Sequence, residues 1–579
     1  MAQVEDVRIL EAMPIDVQTS QKTAVVDDTI DLPIIDDFSQ KTTIPNPSIW
    51  TDRKVYINST IPTDLLSIGA ASFDGTNEYG YPYDINKNGS DTLADVLTSK
   101  HIRFTPPVTD VYLTFLYQKG GLGEFPEAQD SLVVEFWSVQ DTAWEQVWAV
   151  KGNSQGSKFR AASIPLADPK FLIDGFRFRF GAYGALNGAF DVWNIDYVQL
   201  DQNRTPNDTT IIEPAFVKTH PYLTYPFSHI PWFHYQNQAI SNEITFTYMR
   251  NGPPPPGGWA LNLGKYFINK DGVQVKDRLT VPVITNLNHN VPIDFEVPVQ
   301  PFSIANPTGE FNLFMRTWFD GTAEGLRNND TVEISIPFKN YYAFDDGSAE
   351  RAYGILNQTN ARLAFQFTPL QPDTLRGLLI NFAHAGTDAT DNKFRIAIWE
   401  DNFGEPGNPI FISDSLYQPE YAPYHNGFMP FDLDTGIFIS GSVFVGMVQK
   451  NAEAIHVGLD LNTVDATKKF YGSGFVWLES LVPGTVMIRP YLKYTPLNFA
   501  IEEPEQNLKI KVYPNPANDF IKIEVEDLVK FSWKLLNSTG QIVDIGTRTE
   551  LSTLHLPRGM YFIQIEVNGQ VATEKLILQ

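Results

Sequence analysis

From about residue 31 to the C-terminus, short runs of β-branched and aromatic residues alternate with turn clusters, the period-two signature of strands. Residues 111–118 place Val111, Leu113, Phe115 and Tyr117 on one face and Tyr112, Thr114, Leu116 and Gln118 on the other. A strand apolar on both faces fits a central position in a sheet covered on both sides. Residues 394–399 put Phe394, Ile396 and Ile398 on a core face and Arg395, Ala397 and Trp399 opposite. The pattern predicts an all-β, multidomain chain of jelly-roll and immunoglobulin-like β-sandwiches ending in a small C-terminal β-sandwich. Residues 1–30 read as an N-terminal arm or strand, and 31–205 as a jelly-roll-like sandwich closed by the polar linker 201–210. Residues 206–340 fit an immunoglobulin-like sandwich interrupted by the proline run at 253–256, which cannot donate to a sheet. Residues 341–495 read as a second jelly roll and 505–579 as the last domain.

Composition narrows the functional classes. The formal net charge of -25 offers a phosphate backbone no attractive field, so nucleic acid is excluded as a partner. No cysteine is present, which removes disulfides, thiol nucleophiles and thiolate zinc sites. No apolar run approaches the roughly 20 residues that span a bilayer, and the chain is expected not to cross a membrane. The opening Met-Ala-Gln-Val-Glu-Asp has neither a basic n-region nor an apolar h-region. It fits a cytoplasmic protein or a mature chain after signal removal.

The C-terminus separates these two readings. Tyr513-Pro514-Asn515-Pro516 followed by Asn518, the turn ending at Gly540, the block Leu556-Pro557-Arg558-Gly559-Met560-Tyr561 and the closing Glu574-Lys575-Leu576-Ile577-Leu578 follow one another in order. This segment resembles the type A sorting domain of the type IX secretion system. Tyr513, Pro514, Asn515, Pro516, Gly540, Pro557, Gly559, Tyr561 and Lys575 carry the signature. The resemblance implies a secreted or outer-surface protein of a Gram-negative bacterium, with its signal peptide already removed. The implied partners are the type IX translocon and its cargo shuttle. The large segments also resemble jelly rolls of uncharacterised secreted proteins of Bacteroidota, a likeness that brings no catalytic assignment.

Candidate chemistry is sparse. Asp84, Asn86, Asn88 and Asp95, with Gly89 at the sixth position, match a Ca²⁺ loop at positions 1, 3, 5 and 12, because a hard cation needs several oxygens and a sharp turn. Asp91 at the eighth position and Asp rather than Glu at the twelfth depart from that pattern, and a plain Asn-Gly turn is the competing reading. Asp36 and Asp37, with Asp191 and Asp196, stand at the two ends of the first sandwich, where adjoining first and last strands bring carboxylates to a shared cation. His229 and His234 are spaced five apart around a proline and do not form a zincin motif. The aromatic string Trp232, Phe233 and Tyr235 beside them reads as an interdomain contact. Trp137, Trp144, Trp148, Trp193 and Trp399 are either core residues or sugar-stacking platforms. An Asp-Ser/Thr pattern with acceptors Thr29, Thr92, Ser131, Thr142, Thr209, Thr331, Thr374 and Ser415 resembles the O-glycosylation acceptor of exported proteins of the same bacterial group.

No Gly-x-Ser-x-Gly elbow and no His-Glu-x-x-His motif occurs, so no catalytic residue is assigned. Three functional readings remain. The first is a non-catalytic adhesive or ligand-binding cargo, with a surface glycan or another surface protein as partner and Ca²⁺ as the one candidate cofactor. The second is an extracellular polysaccharide hydrolase using a carboxylate pair. The third is a structural component of a surface layer or fibre.

Overall fold

The strands of the computed structural model follow the alternation of the chain. It describes residues 4–13, 28–492 and 510–579 apart from 41, 88–91, 154–157, 219–222, 236–240, 242, 254–260, 279–282, 285–287, 299–303, 305–306, 308, 321–327, 387, 464–466, 474–475, 526–530, 538–541, 555 and 568–569. Among these residues there is no α-helix, only three short 3₁₀ turns, and no helix is long and apolar enough to cross a membrane. The chain divides into two compact units: Met1–Val17 with Asp27–Tyr494, and Gln18–Val26 with Thr495–Gln579.

The large unit begins with a two-sheet sandwich. One sheet runs in the order Ala143–Lys151, Ser131–Ser138, Phe178–Gly184, Thr92–Thr98. The other runs Arg160–Pro165, Tyr112–Lys119, Trp193–Asp201, Ala70–Phe73, Tyr56–Asn58, with Ile34–Asp36 also paired to Trp193–Asp201. Tyr112–Lys119 is central, as its doubly apolar pattern predicts. Phe115, 1% exposed, meets Trp148 and Phe180 with ring centroids 5.2 and 4.9 Å away.

The next segment pairs a three-stranded sheet (Glu213–Phe216, Glu243–Asn251, Ile293–Pro298) with a sheet built on Leu261–Lys270, Phe311–Asp320 and Thr331–Phe338. Its core is continuous with that of the following sandwich: Phe216, Tyr248 and Phe338 belong to one apolar cluster with Phe365, Ile380 and Ile488.

The third sandwich contains a six-stranded sheet from Glu405–Ile412 through Phe394–Asn402, Val443–Gln449, Arg362–Phe367 and Lys469–Ser473 to Val476–Glu479. Its edge strand Glu405–Ile412 carries Pro406 and Pro409. Both faces of Phe394–Asn402 are buried: Ile396 and Ile398 face the main core, while Trp399, 1% exposed, packs with Phe444 and Phe470 in a smaller cluster. The expectation of a single core face there is corrected, because the far face has its own apolar cover.

Of the two readings of the N-terminus, arm or strand, residues 4–8 take the second. Val4–Arg8 pairs antiparallel with Arg351–Leu356, so the first described strand is part of a sheet of the last sandwich in this unit. Leu10 and Met13 then join Tyr56, Ile61, Ala352 and Met487 in a cluster between the first and third sandwiches.

The small unit holds a three-stranded sheet (Ile510–Tyr513, Phe520–Val525, Glu550–Ser552) and a four-stranded one in the order Ile542–Gly546, Phe531–Asn537, Gly559–Val567, Gln570–Leu578. Ile521, Trp533, Leu535, Ile563 and Leu576 form its core.

Phe115→Ala removes a ring from a closely packed interior and is expected to cost the large unit about 3–5 kcal/mol. Thermal unfolding of the full chain checks this as a lowered midpoint for the large unit.

Candidate functional site

In the small unit the signature residues act on one another. Asn515 grips the final strand from both sides of its amide: Nδ2 donates to the Lys575 carbonyl at 2.5 Å, and Oδ1 accepts from the Ile577 amide at 3.0 Å. The Ala517 amide then donates to the Ile577 carbonyl at 2.8 Å. Arg558 and Thr553 both donate to the Asn518 carbonyl, and the buried Tyr561 donates its hydroxyl to the Pro557 carbonyl at 2.7 Å. The turn at 513–516, the strand ending in Lys575 and the loop at 557–559 therefore close on each other. Tyr513, Pro514, Asn515, Pro516, Pro557, Gly559 and Lys575 stay exposed. Gly540 lies outside the described residues.

The four residues of the candidate calcium loop do not share one environment. Asp84 is exposed and accepts from the Asn86 amide at 3.0 Å. Asn88 lies outside the described residues. Asp95 is fully buried within Thr92–Thr98, where its carboxylate accepts from the Gly75 amide and the Tyr83 hydroxyl, both at 2.8 Å. Burial and the neighbouring Asp74 raise its pKa well above the usual carboxylate range. A regular strand begins at Thr92 where a ligand loop would continue.

The four edge aspartates divide between two places. Asp36, Asp37 and Asp196 are buried where Ile34–Asp36 pairs with Trp193–Asp201. Glu213 joins them, and Asn329 Nδ2 donates to Asp37 at 3.0 Å and to Glu213 at 2.9 Å. Burial lifts Asp36 to about 6 and, together with Asp37, pushes Asp196 well above its ordinary value. Asp191 lies apart, beside Glu127 and Asp130.

A related arrangement stands in the third sandwich at Asp345–Ser348, the carboxylate-rich opening that the sequence reads as a structural turn. The Phe38 amide donates to Asp36, and Ser39 caps Asp37 with both its amide and its hydroxyl. In the same way, the Gly347 amide donates to Asp345, and Ser348 caps Asp346 twice. Phe38 and Gly347, at φ +53° and +95°, occupy the same left-handed place in the two turns. The spacing Asp-Asp-x-Ser was the available signal. In each turn the first aspartate accepts a further bond from outside, Asp36 from the Trp50 indole N–H and Asp345 from the Arg489 guanidinium. The second faces other carboxylates: Asp346 lies with Glu350 and Asp460, and burial, then Asp460, pushes it up to about 7.

The aromatic and histidine candidates are largely structural. Trp193 and Trp399 are core residues, and Trp148 packs on Phe115 and Tyr117. Trp137 and Trp144, half-buried, meet at 5.4 Å under the guanidinium groups of Arg177 and Arg179. His234 is buried and bonds Tyr342 at 2.6 Å and Asp373 at 3.0 Å, while Tyr235 packs on Phe311 and Phe338. His229 is buried beside the Ser228 hydroxyl. Among the acceptor hydroxyls, Thr142 and Ser415 are exposed, and Thr29, Thr92, Thr209, Thr331 and Thr374 are partly covered. Ser131 is 8% exposed within a central strand, which leaves no room for a sugar in the folded chain.

A cleft of about 380 Å³ lies against the first sandwich. Thr114, Tyr197, Gln199, Arg204 and Glu213 supply polar groups, and Ile35, Phe115, Leu116, Ile211 and Ile212 supply apolar ones. Arg204 donates to Thr114 Oγ1 at 2.9 Å and to the Asp208 carbonyl at 2.5 Å. Tyr197 donates to Glu213 at 2.5 Å.

Two outcomes follow from these geometries. Asn515→Ala removes both bonds to the final strand and is expected to cost the small unit about 1–2 kcal/mol, checked by earlier proteolysis of the tail in urea. Because Asp346 has a raised folded pKa, its stabilising contribution is present below about pH 4 and is lost as pH rises through about 7. Asp346→Asn therefore gains over the parent from about pH 4 upward and levels off above about pH 7, with a Tm increase of roughly 2 °C at pH 8 from about 2 kcal/mol of relieved burial and repulsion. Thermal melts across that range measure it.

Comparison with known proteins bears on the small unit. Residues 511–579 match the family model of the secretion system C-terminal sorting domain. No curated protein matches the chain. Among solved structures it is similar to the glycoside hydrolase domain of Endo-D from Streptococcus pneumoniae R6, at 10% identity and a TM-score of 0.19, over 50% of this chain and 37% of that chain. The chain thus spans little more than a third of that structure's length, and the likeness carries no argument about activity. The matched tail, with its signature residues closed around Asn515, identifies the chain as a type IX secretion cargo that carries its C-terminal sorting domain at residues 511–579.

Proposed function

We propose that this cargo is a non-catalytic, adhesive or ligand-binding protein of the outer surface of a Gram-negative bacterium, and that its ligand, a surface glycan or a segment of another surface protein, occupies the cleft of the first sandwich. The observation that carries the reading is the cleft itself. Its volume of about 380 Å³ falls in the range of ligand sites, and its wall offers polar and apolar surface in about equal parts, so that polar groups can orient a molecule whose body rests on the apolar ones. Arg204, held in the wall by its bonds to Thr114 and the Asp208 carbonyl, places a positive charge beside the cleft that favours a carboxylate or hydroxyl-rich ligand.

Binding is favoured over hydrolysis by the state of the cleft's carboxylates. Glu213 accepts from Tyr197 and Asn329, and Asp208 accepts from the amide and hydroxyl of Thr205 at 2.7 and 2.9 Å. Both are engaged in holding the wall together, whereas a glycosidase needs a facing pair free to exchange protons with the substrate. Part of that wall is the segment 208–213, so the first sandwich cut at residue 205 would lack it.

A glycan array probed with the full chain tests the reading. Binding to a restricted set of glycans is expected, weakened at least tenfold (about 1.4 kcal/mol) by Arg204→Ala. Release of reducing ends from any bound polysaccharide, or binding untouched by the substitution, contradicts it.

A further inference from the structure

Three carboxylates meet at the open end of the first sandwich, on a loop and a strand entry that the cleft does not use. One oxygen each from Glu127, Asp130 and Asp191 lies within 4.8 Å of the other two. The residues reach this place by backbone design. Glu127 and Asp130 form a closed turn, with the Asp130 amide donating to the Glu127 carbonyl at 3.1 Å and the Glu127 amide to Asp130 Oδ2 at 2.6 Å. Asp191, at a left-handed φ of +57°, enters the strand Trp193–Asp201 and accepts from the Ala185 amide through Oδ2 at 2.8 Å.

Each aspartate is thus held by one oxygen and left with the other. Asp130 and Asp191 are 0% and 5% exposed, yet Oδ1 of each is buried without any donor. Among the described residues no basic side chain forms an ion pair with any of the three. Buried anionic oxygens without a partner are costly, and converging carboxylates are more so. Glycine packs around the group: a Cβ on Gly184 would stand 2.7 Å from Asp191 Oδ2, and one on Gly152 would stand 1.9 Å from the Glu127 carbonyl.

We propose that Glu127, Asp130 and Asp191 bind a calcium ion. The donor set is three carboxylates, the all-oxygen chemistry of a hard divalent cation. The three oxygens lie within 4.8 Å of one another, near enough to share one ion, and an irregular set of carboxylates suits the flexible shell of Ca²⁺ better than the strict octahedron that Mg²⁺ demands. The two free Oδ1 atoms become ligands, and the ion ties the loop around 127–130 to the entry of the strand at 191. With three protein carboxylates and the remaining positions filled by water or carbonyls, affinity belongs in the roughly 10⁻⁴–10⁻³ M range of extracellular modules.

The test uses the full chain stripped with chelator and titrated with CaCl₂ or MgCl₂ to about 10 mM at about pH 7.5, followed by calorimetry and thermal melting. Ca²⁺ is expected to raise the Tm of the large unit, with Mg²⁺ much less effective. Glu127→Gln, at an exposed position that leaves the core intact, is expected to weaken Ca²⁺ binding at least tenfold. Asp191→Asn, shown folded by circular dichroism, should lose it, and Asp84→Asn should bind as the parent does. No response to Ca²⁺, an undiminished response in Glu127→Gln, or a response lost only in Asp84→Asn overturns the assignment.

Discussion

The large unit depends on apolar packing that does not stop at the limits of its sandwiches. A chain with no cysteine must hold its parts together by burial alone, and here one cluster runs from Phe216 through Tyr342 to Leu492. A second links Leu10 and Met13 near the N-terminus to Tyr56 of the first sandwich and Met487 of the third. The strand Val4–Arg8 completes a sheet that otherwise begins some 350 residues later. Contacts this distant in sequence are slow to form, yet they tie the described residues 4–13 and 28–492 into one compact unit.

Packing of this kind leaves polar residues trapped at the junctions, and the unit manages them with repeated devices. The turns at Asp36–Ser39 and Asp345–Ser348 satisfy two carboxylates with backbone amides and a serine hydroxyl while turning the chain through a left-handed residue. Phe38 adopts there a conformation more natural to glycine, and its full burial beside Trp50 accounts for its presence. His234 plays a similar part between the second and third sandwiches, its two nitrogens spanning Tyr342 and Asp373.

The strand pattern was legible because a period of two is local. Val111–Gln118 needs only its own residues to announce a central strand, and the ordered blocks from Tyr513 to Lys575 needed only the linear chain. What escaped was pairwise and distant. Nothing around Glu127 indicates that Asp191 lies beside it, and Asp95 matched the last position of a loop while belonging to a strand whose carboxylate answers to Gly75 and Tyr83. Of the four aspartates expected to approach one another where first and last strands adjoin, Asp36, Asp37 and Asp196 lie together and Asp191 does not. Glu213 and Asn329, from beyond that sandwich, were invisible to the same argument.

The edge strand Glu405–Ile412 carries a consequence for a protein delivered in many copies to one surface. Ile410 and Ile412 are 48% and 43% exposed, and an open strand with apolar side chains is a template on which a second chain can extend the sheet. Pro406 and Pro409 interrupt its row of backbone donors, so an incoming strand finds a ladder with missing rungs. Such an edge resists extension by a second chain, which a flat, fully hydrogen-bonding strand would invite.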